Sequence, residues 1–337
     1  MIREIWHGAT LRDRLGRVAL APAEVLYTIA IKAREELFDR GMLDVSRSPL
    51  GVVSVGNLTV GGTGKTPVTA WIAQRLVSLG RKPAVVLRGY GGDEPHVHAR
   101  LNPGVPVIVD ADRVRGIARA SDGGADCAVL DDAFQHRRAH RDVDLVLISA
   151  DEWTSDVRLL PAGPYREPPS AIERSTAVII TVKAASEEKV QQVRSWTERV
   201  APGKPVAIVH LVQYDIERVD GTGQALPVSA LAGKRVVAIA AIGNPGAFFR
   251  QVESTGASVI PVRFPDHHAF SAADASRAAA LARASDYVVC TLKDAVKLAS
   301  LWPATAAPLW YVSQAVEVEL GEPILDGILR QLPSRQA

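Results

Sequence analysis

The stretch Gly51-Val52-Val53-Ser54-Val55, followed by Gly61-Gly62-Thr63-Gly64-Lys65-Thr66 and then Pro67, decides how this chain is read. A glycine-rich turn that leaves a buried strand and enters a helix aims backbone N–H groups, a lysine and a hydroxyl at one point. Such a turn holds nucleotide phosphates and Mg2+. The six residues therefore imply a bound nucleoside triphosphate, with Thr59, Gly61, Gly62, Thr63, Gly64, Lys65 and Thr66 around it. The strict spacing G-x-x-x-x-G-K-[ST] is broken at its first position, where Thr59 stands. Gly61 and Gly62 still supply a tight turn, and Pro67 suits a first helical turn, which needs no donor. A purely structural turn would require neither Lys65 nor Thr66.

Outward from this point, β-branched apolar runs alternate with helix-like stretches. Strands are expected at 51–55, 84–87, 105–109 and 128–130, with helices at 69–79 and 113–120 between them. Runs at 143–148, 177–181 and 206–211 would extend the set. Strands separated by helix-length crossovers specify a mostly parallel, doubly wound α/β sheet of the P-loop NTPase type, covered on both faces. Near Tyr214 the pattern turns to polar and apolar alternation, with the hairpin signal Asp220-Gly221. Beyond it, strand-like runs at 236–242, 259–262, 287–291 and 309–312, with helices near 246–254, 272–284 and 323–332, form a smaller second α/β domain. The expected division is 1–48 for an amino-terminal segment, 49–212 for the phosphate-loop domain, 213–233 for a two-stranded connector and 234–337 for the second domain.

A length of 337 residues with 47% hydrophobic content is enough for two cores. A net charge of +2 excludes a strongly basic nucleic-acid protein, so no nucleic-acid partner is expected. Cys127 and Cys290 both sit in apolar runs, as small buried side chains of a reducing compartment do. No stretch has the layout of a cleaved signal peptide, and none approaches the roughly 20 apolar residues that span a bilayer. The segment 18–31 is apolar apart from Glu24, with Arg12, Arg14 and Arg17 before it and Lys32 and Arg34 after it. It reads either as an amphipathic helix lying among lipid headgroups or as a helix on the protein's own core.

Several polar strings fall where open α/β sheets bind ligands, at strand ends. Asp131-Asp132 follows the run ending at Leu130, and these acids suit Mg2+ or an ordinary turn. Asp93-Glu94, after Arg88-Gly89-Tyr90-Gly91-Gly92, offers a proton acceptor and a second acid, or a solvated surface turn. In Pro265-Asp266-His267-His268 one histidine oriented by Asp266 could assist acid–base chemistry, or the two are a surface pair; adjacent side chains diverge, which disfavours a shared metal. His96 and His98 lack a third ligand and read as loop residues. The proline-rich stretch 160–168 is an irregular segment of fixed shape, in which Arg166 can grip a phosphate and Glu167 can join a metal shell or pair with that arginine.

In order along nearly the whole chain, Ile5-Trp6, Val55 to Pro67, Arg88 to Gly92, Asp131 to His136, Leu160 to Glu167, Asp266-His267 and Thr291 to Lys297 resemble the tetraacyldisaccharide 4'-kinases, the lipid A 4'-kinases of Gram-negative envelope synthesis. The resemblance implies a phosphotransferase with an alcohol acceptor. It would move the γ-phosphate of ATP, with Mg2+, to the 4'-hydroxyl of a tetraacylated disaccharide 1-phosphate. It also implies a peripheral or monotopic enzyme on the cytoplasmic face of the inner membrane, docked through the amino-terminal segment; the sequence leaves the oligomeric state open, with a monomer as the expectation. By the same resemblance Asp93 is the base, with His267 its partner. Lys65 serves catalysis and the phosphates, while Thr66, Asp131, Asp132, Glu94 and Glu167 serve the metal. Asn57, Arg88, Gln135, His136 and Arg166 serve the substrate.

Three positions depart from the family pattern. Ala133 stands where glycine is usual, Gly92-Asp93-Glu94-Pro95 follows Arg88 without the usual intervening loop, and Leu292 replaces a frequent glutamate. Two other classes share the Gly-Gly-x-Gly-Lys-Thr turn. A deviant phosphate-loop ATPase of the partitioning or metal-delivery type carries a second lysine near the start of its loop, where Val60 stands here. A nucleotide-gated membrane-binding module would have no use for Asp93, His267 or the paired acids.

Overall fold

The computed structural model describes residues 5, 6, 8, 10–89 and 92–334. Tyr90 and Gly91 of the glycine-rich string after Arg88 lie outside the described residues. Two compact units are present: Met1–Arg88, Asn102–His210 and Glu317–Ala337 form the first, Gly89–Leu101 and Leu211–Val316 the second. The division follows space rather than chain order, since 89–101 groups with residues far ahead of it and the carboxyl-terminal segment groups with the first unit.

The first unit opens with helix α1 (Leu11–Asp39), started by Thr10, which forms a capping box with Asp13. Strand β1 (Gly51–Asn57), helix α2 (Lys65–Ser78) and strand β2 (Pro83–Leu87) follow. The chain then contributes helix α3 (Glu94–Leu101) to the second unit and returns for β3 (Val107–Val109), α4 (Arg113–Asp122), β4 (Cys127–Asp131), β5 (Val143–Ser149), β6 (Ala177–Val182) and α5 (Glu187–Val200). The strand order β3-β2-β4-β1-β5-β6 is parallel throughout, and the start of β7 (Val206–Arg218) pairs with β6. β1 lies in the middle and is buried along its whole length, which is why it reads as an unbroken apolar run. One core cluster joins Val52, Val86, Ile117 and Leu130, and another joins Phe134, Val146, Ile180, Val193 and Trp196. The expected parallel strands at 51–55, 84–87, 128–130, 143–148 and 177–181 all form, and the edge strand β3 is shorter than its apolar run.

The second unit holds β8 (Leu226–Pro227), which pairs antiparallel with the far end of β7 at Asp215↔Pro227. It continues with β9 (Arg235–Ala240), α6 (Pro245–Glu253), β10 (Ser258–Arg263), α7 (Ala272–Leu281), β11 (Tyr287–Thr291), α8 (Leu292–Leu298) and β12 (Leu309–Leu320). Its strands run β10-β9-β11-β12, all parallel, around a core of Val237, Ile239, Val288, Cys290 and Tyr311. Helix α3 packs on α8. Helix α9 (Glu322–Arg330) lies in the first unit, where Asp326 accepts from Arg75 Nε at 2.6 Å.

Glu24, the charge that interrupts the apolar stretch of α1, faces the first unit. Its Oε1 accepts from Leu159 N at 2.8 Å and its Oε2 lies 3.3 Å from Arg158. Leu11, Leu15, Val18, Val25, Leu26 and Ile29 on the same helix are exposed. Among the described residues no helix is long and apolar enough to cross a membrane.

Candidate active site

The first unit carries the phosphate loop. Asn57 ends β1, and its side-chain amide donates to Thr59 O at 2.7 Å, folding the chain over at the position where the usual motif has glycine. The proline-rich segment runs along the entry to the loop: Arg166 N donates to Leu58 O at 2.7 Å and Val60 N to Pro164 O at 2.8 Å. Gly64 caps α2 in the left-handed region at φ 84°, and Lys65 and Thr66 open the helix. Gly61 turns at φ 154°, a conformation that side chains rarely adopt, and a side chain there would also have to displace the Glu152 carboxylate. Two residues of β6 and its following turn hold the outer side of the loop. Thr181 Oγ1 donates to Thr63 O at 2.9 Å and Lys183 Nζ to Gly62 O at 2.8 Å. Carbonyls fixed outward leave the loop's N–H groups to face inward, as an anion site requires.

The paired acids end the neighbouring strand, as expected. Asp131 closes β4 and is buried, with Thr69 Oγ1 donating to its Oδ1 at 3.2 Å. Asp132 is left-handed at φ 50°. Ala133 has no such angle, so its replacement of glycine is accommodated and the unusual backbone lies one residue earlier. Arg166 Nη2 lies 2.8 Å from Asp132 Oδ1, and Lys65 Nζ lies 4.0 Å from the same oxygen. Burial pushes the Asp132 carboxyl up, but Lys65 and Arg166 outweigh it and hold it below its ordinary value. Asn57 Oδ1 joins the cluster by accepting from Lys65 at 3.3 Å and from Arg166. Gln135 Nε2 donates to Asn57 O at 2.9 Å and to Glu167 Oε2 at 3.2 Å. Lys65, Asn57, Asp132, Gln135 and Arg166 therefore form one connected group.

Glu167 is fully enclosed, and Arg174 Nη2 approaches its Oε2 to 2.5 Å. His136 is half-buried, and burial, followed by Arg113, Arg88, Arg34 and Arg141, holds its imidazole below the ordinary value. Arg88 is exposed just past β2. Among the described residues no cluster of three or more His, Cys, Asp or Glu could hold a metal ion unaided. Thr66, Asp131 and Asp132 carry the hard oxygen donors that could hold Mg2+ when phosphates and water complete its shell.

The second unit carries Asp93, Glu94 and His267. Gly92 turns at φ 77° and delivers Asp93 just ahead of α3, whose first residue is Glu94. Asp93 is buried, His267 is exposed, and both line an open pocket of about 350 Å³ with His96, His268, Phe270 and Lys297. His267 is held left-handed at φ 58° by its N–H, which donates to Ala241 O at 3.2 Å. Asp132 and His267 are the only non-glycine residues with positive φ among those described. Backbone strain of this kind costs about 1–3 kcal/mol and collects at working sites. Asp266 Oδ1 lies 3.9 Å from His267 Nε2, too far for a hydrogen bond. His268 is structural: its ring stacks on Phe264 at 4.8 Å, and Asp274 lies 3.2 Å from its Nε2.

Thr181, Lys183, Arg174 and Lys297 reach these groups without having been singled out in the sequence. Only Lys297 had a signal, the string 291–297; Thr181 and Lys183 meet partners 118 and 121 residues away, and Arg174 meets Glu167 seven residues off with no motif to mark the pair.

A central parallel strand that feeds a Gly-Gly-x-Gly-Lys-Thr turn and a helix, beside a strand ending in paired aspartates, defines a P-loop nucleotide-binding fold. The family model for tetraacyldisaccharide-1-P 4'-kinase, LpxK, matches residues 16–92 and 91–333. The tetraacyldisaccharide 4'-kinase of Anaeromyxobacter dehalogenans is 37% identical, over 94% of this chain and 91% of its own. That of Halorhodospira halophila is 36% identical over 98% of each chain. The crystal structure of LpxK from Aquifex aeolicus in complex with ATP superposes with a TM-score of 0.75 at 28% identity, covering 94% of this chain and 99% of that one. The chain belongs to the tetraacyldisaccharide 4'-kinase family.

Proposed function

We propose that this protein transfers the γ-phosphate of ATP to the 4'-hydroxyl of a tetraacyldisaccharide 1-phosphate, the phosphorylation step its family name describes in lipid A synthesis. The observation that carries the reading is the group that Asn57, Asp132 and Arg166 form around Lys65 of the glycine-rich loop. Loop amides and Lys65 bind the β- and γ-phosphates, and Arg166 adds positive charge where the transferred group becomes more anionic. Thr66, Asp131 and Asp132 are the residues that would hold Mg2+, which supplies charge neutralisation on the phosphate oxygens. Asp93 receives the proton of the attacking hydroxyl, and His267 shares its pocket. Gln135 and His136 contact the sugar acceptor, and Arg88 contributes positive charge to the same field. Glu167, closed in by Arg174 and Gln135, shapes the loop that bears Arg166. Glu94, opening α3, is the remaining acid assigned to the metal side.

The exposed apolar residues of α1, with arginines at its start, support docking on a bilayer that holds the acceptor's acyl chains. This reading makes the protein a peripheral enzyme of the cytoplasmic membrane face.

The test is phosphate transfer from labelled ATP to disaccharide monophosphate in detergent micelles with Mg2+. Wild type is expected to label the lipid and Lys65→Ala to lose nearly all transfer. Asp93→Ala is expected to lower turnover by about 10²–10⁴-fold, the usual contribution of a positioned base, with ATP affinity within a few-fold. ATP hydrolysis that proceeds fully without lipid would favour the ATPase class instead.

A further inference from the structure

The string Thr291-Leu292-Lys293-Asp294-Ala295-Val296-Lys297 belongs to the family resemblance, yet nothing so far gives its residues work. Within the second unit each polar group in it has a specific place. Thr291 caps α8: its hydroxyl accepts from Asp294 N at 3.2 Å and donates to Asp294 Oδ2 at 2.7 Å. Asp294 is fully buried and accepts from Ala241 N at 3.1 Å. The same Ala241 accepts from His267 N through its carbonyl. One residue, Ala241, thus ties the start of α8 to the strained histidine.

Lys297 follows Asp294 by three residues, so it sits on the same side of α8. Its side chain is 17% exposed, and its Nζ lies 3.3 Å from Oδ2 of Asp93, whose side chain is 3% exposed. Among the described residues neither carboxylate oxygen of Asp93 has a hydrogen-bond donor. A buried carboxylate without donors is expensive unless a cation offsets it, and Lys297 is placed to do so. Both residues line the pocket that also holds His267.

We propose that Lys297 is a positioning residue for Asp93: its ammonium fixes the carboxylate at the pocket wall, in the orientation from which it takes the acceptor's proton. The proposal rests on Asp93 as the proton acceptor. Lys297 touches neither nucleotide nor acceptor in this account, so its loss acts on turnover and not on binding. The pair also accounts for the string: the Thr291 cap and the Asp294 tether fix α8 so that Lys297 meets α3 at Asp93.

The experiment is a double-mutant cycle on kcat, with KM measured for ATP and for the disaccharide acceptor. Lys297→Met is expected to lower kcat about tenfold or more, with both KM values within about twofold, and Lys297→Arg to restore part of the loss. In an Asp93→Asn background, Lys297→Met is expected to cost nothing further. An equal cost in both backgrounds, or a loss expressed through KM for the acceptor, overturns the proposal. Unimpaired turnover of Asp93→Asn alone removes the base assignment itself, an outcome distinct from an additive cycle. Should Lys297→Met fail to fold by circular dichroism, Lys297→Gln, which keeps a polar end, carries the same cycle.

Discussion

Replacing Thr181 by valine removes one hydroxyl and preserves shape, and it isolates what holds the phosphate loop open. Thr181 is 1% exposed and Thr63 2% exposed, so the bond from Thr181 Oγ1 to Thr63 O at 2.9 Å is shielded from water. Leaving a buried carbonyl without its donor costs about 1–3 kcal/mol. The loop can escape part of that cost by turning the Thr63 peptide, but the turned peptide no longer presents its neighbours to a phosphate. We therefore expect about 1–2 kcal/mol of the loss in ATP binding, a roughly five- to thirtyfold rise in Kd. Lys183→Ala removes a solvent-exposed partner of Gly62 O and should weaken binding only about twofold. Isothermal titration with a non-hydrolysable ATP analogue, together with melting of the free protein, separates the two destinations of the energy. If Thr181→Val lowers the melting temperature while Kd stays within twofold of wild type, the bond stabilises the sheet and does not organise the loop.

Further outcomes follow from the helix and from the arginine-rich turn. Glu24→Ala strands the N–H of Leu159, which is 8% exposed, at about 1–3 kcal/mol, so thermal melting should shift down by several degrees at about 2–4 °C per kcal/mol. Leu26→Ser, on the exposed side of the same helix, should leave melting unchanged within about 0.5 kcal/mol while weakening retention on anionic vesicles. His136 has a folded value held below its ordinary 6.5, so the unfolded chain binds its proton first as pH falls. Its contribution to stability is full above pH 6.5 and is lost as pH falls below that value toward the lower folded one, and His136→Gln should flatten the melting profile on the acid side of about pH 6.5.

The sequence carried the local parts of this structure. β1, the loop, α2 and the acids after β4 are legible because their signals are contiguous: an apolar run, glycines at a turn, a lysine and hydroxyl at a helix start. What was not legible depends on distance. Thr181 lies 118 residues from the carbonyl it holds, and no periodicity marks a strand residue whose hydroxyl points at another loop. The grouping of 89–101 with the second unit is equally silent, because the sequence shows only a glycine-rich stretch and a segment that reads as loop, where the structure has helix α3 with His98 buried in it. Ala133 illustrates the opposite error of local reading. A missing glycine suggests a strained position, yet the positive φ falls on Asp132, where a short polar side chain tolerates it. The close packing is elsewhere: a Cβ at Gly56 would lie 2.6 Å from Phe134 Cβ, so β1 approaches this turn only because it has glycine there.

The amino-terminal helix shows why composition left two readings open: it packs on the rest of the first unit and also leaves apolar residues exposed. Its apolar residues at 11, 15, 18, 25, 26 and 29 are exposed, while Glu24, Tyr27, Arg34 and Glu35 reach the rest of the first unit. Tyr27 Oη donates to Arg166 O at 2.9 Å, Arg34 Nη2 to Gln135 O at 3.0 Å, and Glu35 lies 3.6 Å from Arg174. Burial, and then the neighbouring Glu167, push the Glu35 carboxyl up, with Arg174 opposing them. Those contacts fall on the segments that carry Arg166 and Gln135, the residues that grip Asp132 and Asn57 beside the loop. A helix that only anchored the protein would need no such contacts with the loop's neighbours. Its hydrogen bonds to Arg166 and Gln135 make the seat of α1 part of what shapes the site.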